Sequence, residues 1–177
     1  MNFPAKTEYT DYYHNYIKLL PEGDPIALLE KAQDYTLAIL ENIPADLYDY
    51  QYAEGKWTIK ELLLHLLDCE QILTYRALRF ARHDFSSALP FNEDDYVALS
   101  DTASMDWDYI MTSTKMLRQY TIHFFKGIPE ADFQLGGSDA FPCSIQATAA
   151  IIAAHQLHHI KVLQERYLKQ PVKPFSI

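Results

Sequence analysis

Four long stretches of the chain carry apolar residues at the spacing of an α-helix, and the longest of them covers residues 56–84. It reads KWTIKELLLHLLDCEQILTYRALRFARHD, and we predict a helix from about residue 58 to residue 82. Thr58 and Glu61 have the spacing of a capping box, in which each side chain satisfies a free backbone donor at the start of a helix. The apolar stripe of this helix consists of Leu62, Leu66, Cys69, Ile72, Leu73 and Phe80.

The three other stretches begin and end at residues that are typical of helix boundaries. Asp24 and Pro25 fit the N-cap and first turn of a helix, because an aspartate accepts from free backbone donors and proline has none to lose. Proline or glycine follows each stretch and cannot easily continue a helix. The predicted helices cover residues 25–43, 105–126 and 144–169.

No stretch shows the alternation of a β-strand, and no hairpin turn stands between apolar runs. Four long amphipathic helices therefore predict an all-α fold, a four-helix bundle. A chain of 177 residues is long enough for one buried core, so we expect a single domain over residues 1–177. Residues 86–101 and 128–144 are predicted to be loops, and the tyrosine-rich residues 1–22 an N-terminal arm on the outside.

Composition excludes two classes of partner. The formal net charge is −9 and lysine and arginine form no cluster, so we expect neither nucleic acid nor an anionic membrane surface as a partner. The two cysteines lack the spacing of a disulfide framework or a CxxC motif, which is typical of a reducing compartment. Without an apolar run of signal-peptide or transmembrane length, the sequence predicts a cytoplasmic protein.

Three histidines stand within five positions of the last predicted helix, in the stretch AAHQLHHIKVL at residues 153–163. Each residue turns a helix by about 100°, so His155 and His159 lie about 40° apart and one turn above each other. Both fall in the apolar stripe that should face the bundle interior. His158 lies on the flank of this pair. Two neutral imidazoles one turn apart on a buried face are a typical arrangement for holding zinc or nickel.

A third imidazole is available on the second predicted helix. His65 interrupts the apolar run ELLLHLLD and is in line with Leu62 and Cys69. A lone histidine there could instead be a core residue that bonds to a neighbour. Burial of three imidazoles without partners costs about 1–3 kcal/mol for each unsatisfied group, and one divalent cation would satisfy all three. Three protein ligands with open positions are typical of catalytic metal sites.

The chain resembles the DinB/YfiT-like superfamily of four-helix-bundle metalloproteins. The resemblance rests on Trp57 before the second helix, His65 within it, the later loop LPFNEDDY and the terminal HQLHH. It implies a metal-ligand set of His65, His155 and His159, with nickel or zinc as the ion. It also implies frequent dimerisation, hence a homodimer, and relatives that are hydrolases or thiol-dependent S-transferases.

Several neighbours of these histidines have two possible roles. Glu61 could activate water as a general base, but its capping-box role explains it without chemistry. Asp68 could orient an imidazole or be an exposed carboxylate. Arg76 and Arg79 extend the same face, and a guanidinium there could bind a carboxylate or a thiol-cofactor anion, or form a surface ion pair. Trp57 could form a pocket wall or pack at the helix start, and Cys69 could touch the metal site or be a small core residue.

These observations predict a protein that binds a divalent metal ion. We expect a metal-dependent hydrolase or a thiol-dependent S-transferase that acts on a small molecule, through water or a low-molecular-weight thiol activated by the ion. The alternative is a non-catalytic binding module, dimeric and stabilised by the metal.

Overall fold

The computed structural model describes residues 1–138 and 141–176, and in this part of the chain it contains six α-helices and one β-hairpin. The hairpin consists of strands β1 (Gly136–Ser138) and β2 (Phe141–Ser144). The helices are α1 (Asp11–Ile17), α2 (Pro25–Leu40), α3 (Ile59–Phe80), α4 (Glu93–Leu99), α5 (Trp107–Lys126) and α6 (Ile145–Val162). None of the helices in these residues is long and apolar enough to cross a membrane.

The four longest helices form the predicted bundle. Helices α2 and α3 each pack against both α5 and α6. The predicted capping residues begin two of them: the Asp24 carboxylate accepts from the Ile26 N–H at 3.0 Å, and Thr58 Oγ1 accepts from the Glu61 N–H at 3.1 Å. The prediction of an all-α four-helix bundle is confirmed.

Helix α6 occupies the centre of the molecule. Every residue from Ile145 to Ala154 is buried, because α1, α2 and α3 all pack on this helix. Half of this stretch is alanine, and small side chains let neighbouring helices approach from several sides at once. The ligand candidates His155 and His159 follow directly on this buried segment.

The structure differs from the prediction in three places. Helix α6 ends at Val162 and continues as a π-helical turn, Leu163–Tyr167, rather than as an α-helix to residue 169. Residues 93–99 of the predicted loop 86–101 form α4, with the Asn92 side chain as its cap. The β-hairpin lies in the predicted loop 128–144, where glycine is required at residue 136, since a Cβ would collide with the Cys143 carbonyl.

The N-terminal arm also contains a helix. Helix α1 packs on α6 and buries Ile17, which is 2% exposed. On the other side, α4 packs on α3. Because α3 and α6 carry the three candidate ligands, these two short helices form walls around them.

Candidate metal centre

The structure brings His65, His155 and His159 together between α3 and α6. Nε2 of His155 lies 3.2 Å from Nε2 of His65 and 3.1 Å from Nε2 of His159. The ring centroids of His65 and His159 are 4.8 Å apart. The three rings therefore converge with their Nε2 edges towards one region.

Hydrogen bonds among the rings cannot satisfy this arrangement. A neutral imidazole nitrogen carries either one proton or one lone pair, so it forms one ordinary hydrogen bond. Nε2 of His155 faces two other Nε2 atoms, and one of these contacts is left without a donor or without an acceptor. A cation between the rings would accept all three lone pairs.

The donor set and its spacing fit a divalent metal. Imidazole nitrogens lie about 2.0–2.1 Å from zinc, so two such ligands of one ion stand about 2.8–3.4 Å apart, depending on the angle between them. The separations of His155 Nε2 from the Nε2 atoms of His65 and His159, 3.2 and 3.1 Å, fall in this range. Imidazole is a suitable ligand for zinc and for nickel.

The histidines are held in the neutral form that a metal requires. The pKa of His155 is lowered to about 3, mainly by burial and to a smaller extent by the neighbouring His65 and His158. Burial also lowers the pKa of His159 well below its usual value, and the neighbouring His155 is the next largest cause of this shift. Burial lowers the pKa of His65 as well, while Glu93 opposes this shift. At neutral pH the ring lone pairs are therefore not taken by protons.

Cys69 adds a thiol beside the imidazoles. Ligand-type atoms of His65, Cys69 and His155 lie within 4.8 Å of one another, and Sγ of Cys69 is 3.7 Å from Nδ1 of His65. The pKa of this thiol is raised to about 12, mainly by burial and to a smaller extent by Glu93 and Asp68, while Arg76 opposes the shift. Because the thiolate is the metal-binding form, a third imidazole is the better donor near neutral pH.

Trp57 and His158 both lie beside the cluster of imidazoles. The Trp57 ring lies 4.7 Å from that of His65, tilted by 39°, and the Trp57 carbonyl accepts from the Tyr167 hydroxyl at 2.7 Å. Trp57 is thus fixed as a wall of the site. His158 packs its ring edgewise on Tyr16 at 5.1 Å and does not belong to the group of converging nitrogens.

The two acidic candidates on α3 are placed away from the ring nitrogens. Glu61 forms the capping box, because its Oε2 accepts from the Thr58 N–H at 2.7 Å. Asp68 is half-buried, and burial raises the pKa of its carboxyl. Among the described residues it makes no hydrogen bond to a histidine. The structure therefore supports the capping role of Glu61 and gives Asp68 no contact with a ligand.

A cavity of about 300 Å³ opens above the imidazoles. Apart from the histidines and Cys69, its polar lining includes one cation and one anion, Arg76 from α3 and Glu93 from α4. Arg76, predicted as an anion-binding candidate, thus faces the same space as the three candidate ligands. Its neighbour Arg79 does not, since it pairs with Asp84 at 2.8 Å.

Sequence reasoning missed most of the aromatic wall of this cavity. Three tyrosines come from α1 and one phenylalanine from the segment before α4: Tyr12, Tyr13, Tyr16 and Phe91. The concentration of tyrosine in residues 1–22 was a signal, but only tertiary packing of α1 on α6 shows that the arm faces the site.

Comparison with known proteins identifies the family. A sequence model of the DinB superfamily matches residues 28–163, which is most of the chain, and the protein therefore belongs to this superfamily. A search of curated proteins finds no match. Among solved structures, YfiT from Bacillus subtilis is similar, with a TM-score of 0.71, 16% sequence identity and coverage of 95% of this chain and 94% of that one. YfiT is described as a probable metal-dependent hydrolase with an unusual four-helix bundle topology.

Proposed function

We propose that this protein is a metal-dependent hydrolase of a small molecule, in which His65, His155 and His159 hold a divalent ion. The observation that carries the proposal is the position of His155 Nε2, 3.2 and 3.1 Å from two other imidazole nitrogens that it cannot both satisfy. The description of YfiT as a probable metal-dependent hydrolase supports the same activity.

Zinc or nickel fits this donor set. When bound, a divalent ion would lower the pKa of water or of a thiol and so supply a nucleophile near neutral pH. The chain's own residues prepare the site for this. Burial keeps the imidazoles neutral, Trp57 packs over His65, and helices α3 and α6 fix the rings from two directions. The aromatic wall limits the access of bulk water.

The size of the cavity favours hydrolysis over thiol transfer. Sites for small organic ligands have volumes of about 300–1,000 Å³, so a cavity of about 300 Å³ is at the lower limit for a single small molecule. Hydrolysis needs one organic substrate and water, whereas a thiol S-transferase must hold a thiol cofactor and a second organic substrate together. We therefore place the S-transferase second.

The proposal is tested first by metal analysis of the purified protein. We expect about one zinc or nickel ion per chain for a site with three protein ligands. His155→Ala should lose the ion, while His158→Ala should retain it, because His158 lies outside the converging group. Loss of the ion from both variants, or from neither, would contradict the proposed ligand set.

Activity is then assayed with a panel of small esters and amides, and in parallel with electrophiles plus low-molecular-weight thiols. The proposal expects hydrolysis of at least one ester or amide by the loaded protein and none by His155→Ala. Turnover only in the presence of a thiol would favour the S-transferase. No turnover by the loaded protein, together with unfolding when a chelator removes the ion, would favour a metal-stabilised binding module; such a module, as a homodimer, should elute as a dimer.

A further inference from the structure

Arg76 is a buried cation in the wall of the metal-site cavity. Its exposed fraction is 8%. It stands eleven residues after His65 on α3, a distance of about 16 Å along the helix axis, and long helical side chains lean back towards the N-terminus. Arg76 therefore lines the same cavity as the imidazoles, at a distance from them along α3.

Two aromatic rings hold this guanidinium in position. Its central carbon lies 4.8 Å from the centroid of Phe141 and 5.8 Å from that of Phe91. Contact with ring faces at such distances stabilises a cation, and it also orients the planar group. Phe91 lines the cavity together with Arg76.

The guanidinium has few hydrogen-bond partners. One of its nitrogens donates to the Leu89 carbonyl at 3.2 Å. Among residues 1–138 and 141–176, no carboxylate lies within the 4.0 Å of an ion pair with Arg76. Arginine is almost never this deeply buried without a charged partner, because removal of its charge from water is costly.

Arg79, one turn further along α3, shows what a paired arginine looks like in this protein. It donates to both carboxylate oxygens of Asp84, at 2.8 and 3.1 Å. The less buried arginine thus has a complete carboxylate partner, whereas the more buried one at the cavity bonds, within the described part of the chain, to a single backbone carbonyl. This difference indicates that the partner of Arg76 is supplied by a ligand.

We infer that Arg76 is the anion-binding residue of this cavity and takes the carboxylate of a small organic substrate. The inference rests on the proposed function in one respect, that the reactive end of this substrate would reach the imidazoles. The contact between the carboxylate and Arg76 itself needs no metal. The planar fork of arginine donates two parallel hydrogen bonds to a carboxylate. The tyrosines of α1 and Phe91 would pack on the apolar body of the molecule.

Charge balance favours a carboxylate over a phosphate. A phosphate ester carries a charge of about −1.5 to −2 near pH 7. Arg76 is the one arginine or lysine in the described lining of the cavity, and Glu93 shares that lining. A single positive charge beside an acidic residue matches one negative charge better than two.

The test compares two ligands that differ only in charge, phenylacetate and phenylacetamide. Their affinities are measured by calorimetry for the full-length protein, both as purified and after dialysis against a chelator. In the chelated protein no metal ion competes for the carboxylate. We expect phenylacetate to bind about tenfold more tightly than phenylacetamide, the size of a hydrogen bond to a charged group.

Variants assign this preference to Arg76. Arg76→Gln should reduce the ratio of the two affinities to less than about twofold and leave the affinity for the amide unchanged. Arg76→Lys, which keeps the charge but not the fork, should retain an intermediate ratio. Arg79→Gln is the matched control and should keep the full ratio, because Arg79 lies outside the cavity and already has a carboxylate partner.

Three results would overturn the inference. The first is an equal affinity of the chelated wild-type protein for acid and amide. The second is a preference that survives in Arg76→Gln. The third is an affinity for phenylacetate that rises several-fold in Asp139→Asn. Residue 139 is outside the described residues, and this result would mean that its carboxylate pairs with Arg76 in the wild-type protein. Failure of the proposed function is distinguished by metal analysis, because absence of the ion leaves the chelated measurement unaffected.

Discussion

Arg118 and Arg76 are both buried in the bundle, with exposed fractions of 1% and 8%, and they differ in how their charge is satisfied. Arg118 on α5 donates to both carboxylate oxygens of Glu70 on α3, at 2.8 and 2.7 Å, and to the side-chain oxygen of Gln156 on α6 at 2.6 Å. It also donates to the Leu29 carbonyl of α2 at 3.2 Å. This one side chain therefore links all four helices of the bundle.

The region around Arg76 and the three histidines lies between the same helices α3 and α6, yet its polar groups have fewer partners. Among the described residues, Arg76 donates a hydrogen bond to one backbone carbonyl, and His155 Nε2 faces the Nε2 atoms of His65 and His159. The polar groups around Arg118 are thus satisfied by other residues of the protein. Those around Arg76 and the three histidines have the partners that we propose a metal ion and a substrate supply. The first should govern stability, and the second should govern binding.

The largest effect is expected from the completed cluster. Arg118→Leu leaves the Glu70 carboxylate buried without its partner, so the free energy of unfolding should fall by about 3–5 kcal/mol. Denaturant unfolding measures this. The double variant Glu70→Leu/Arg118→Leu should recover most of the loss, because it removes both charges. A single variant as stable as the wild type would mean that the ion pair does not hold the bundle together.

The next effect is the stabilisation by metal. Zinc or nickel added to the chelated protein at one hundred times its Kd should raise the free energy of unfolding by about 2.7 kcal/mol. His155→Ala should show no such gain, although it should remain folded, since Arg118 and the apolar core are intact. Equal stabilisation of both proteins would place the ion elsewhere.

Acid should destabilise the metal-free protein through the histidines. The pKa of His155 is held at about 3 in the folded protein, against 6.5 in the unfolded chain. Below pH 6.5 the unfolded chain takes up a proton that the folded protein does not, so unfolding becomes more favourable as the pH falls from about 6.5 towards 3. Between pH 7 and pH 5, His155 alone should cost about 2 kcal/mol.

This pH dependence can be assigned with two variants. His155→Gln should reduce the slope of the unfolding free energy between pH 7 and pH 5, and the part that remains comes from His159 and His65, whose pKa values burial also lowers. His123→Gln, at an exposed position of α5, is the control for the substitution itself. An unchanged slope in His155→Gln would show that another group causes the acid sensitivity.

The smallest effect is expected at the incomplete cluster. Arg76→Met loses one hydrogen bond and the contacts with two aromatic rings, each worth about 1 kcal/mol. It also removes a buried charge that has no carboxylate partner among residues 1–138 and 141–176. The free energy of unfolding should therefore change by less than about 1 kcal/mol. A loss as large as that of Arg118→Leu would make Arg76 a structural residue and remove the contrast between the two clusters.

The parts of this picture that sequence could predict are those that depend on local spacing. The caps at Asp24 and Thr58 follow from side chains that reach backbone donors two or three residues away. The pairing of His155 with His159 follows from the turn of a helix, and the position of His65 follows from its place in the same apolar stripe as its neighbours. These features need no knowledge of the tertiary fold.

The remaining features depend on contacts between segments distant in sequence. Arg118 and Glu70 are 48 residues apart, and nothing in the local pattern distinguishes Glu70 from an exposed acid. The tyrosines of α1 meet the site only because α1 packs on α6. The hairpin at Gly136 has strands of three and four residues, too short to show alternation.

The central claim is that one ion is held jointly by His65, His155 and His159. Crystals of the protein loaded with zinc or nickel, measured at the absorption edge of that metal, test it most directly. We expect one strong anomalous peak per chain, about 2.0–2.2 Å from the Nε2 atoms of all three histidines. A peak bound by Cys69 in place of His159, or no peak between α3 and α6, would contradict it.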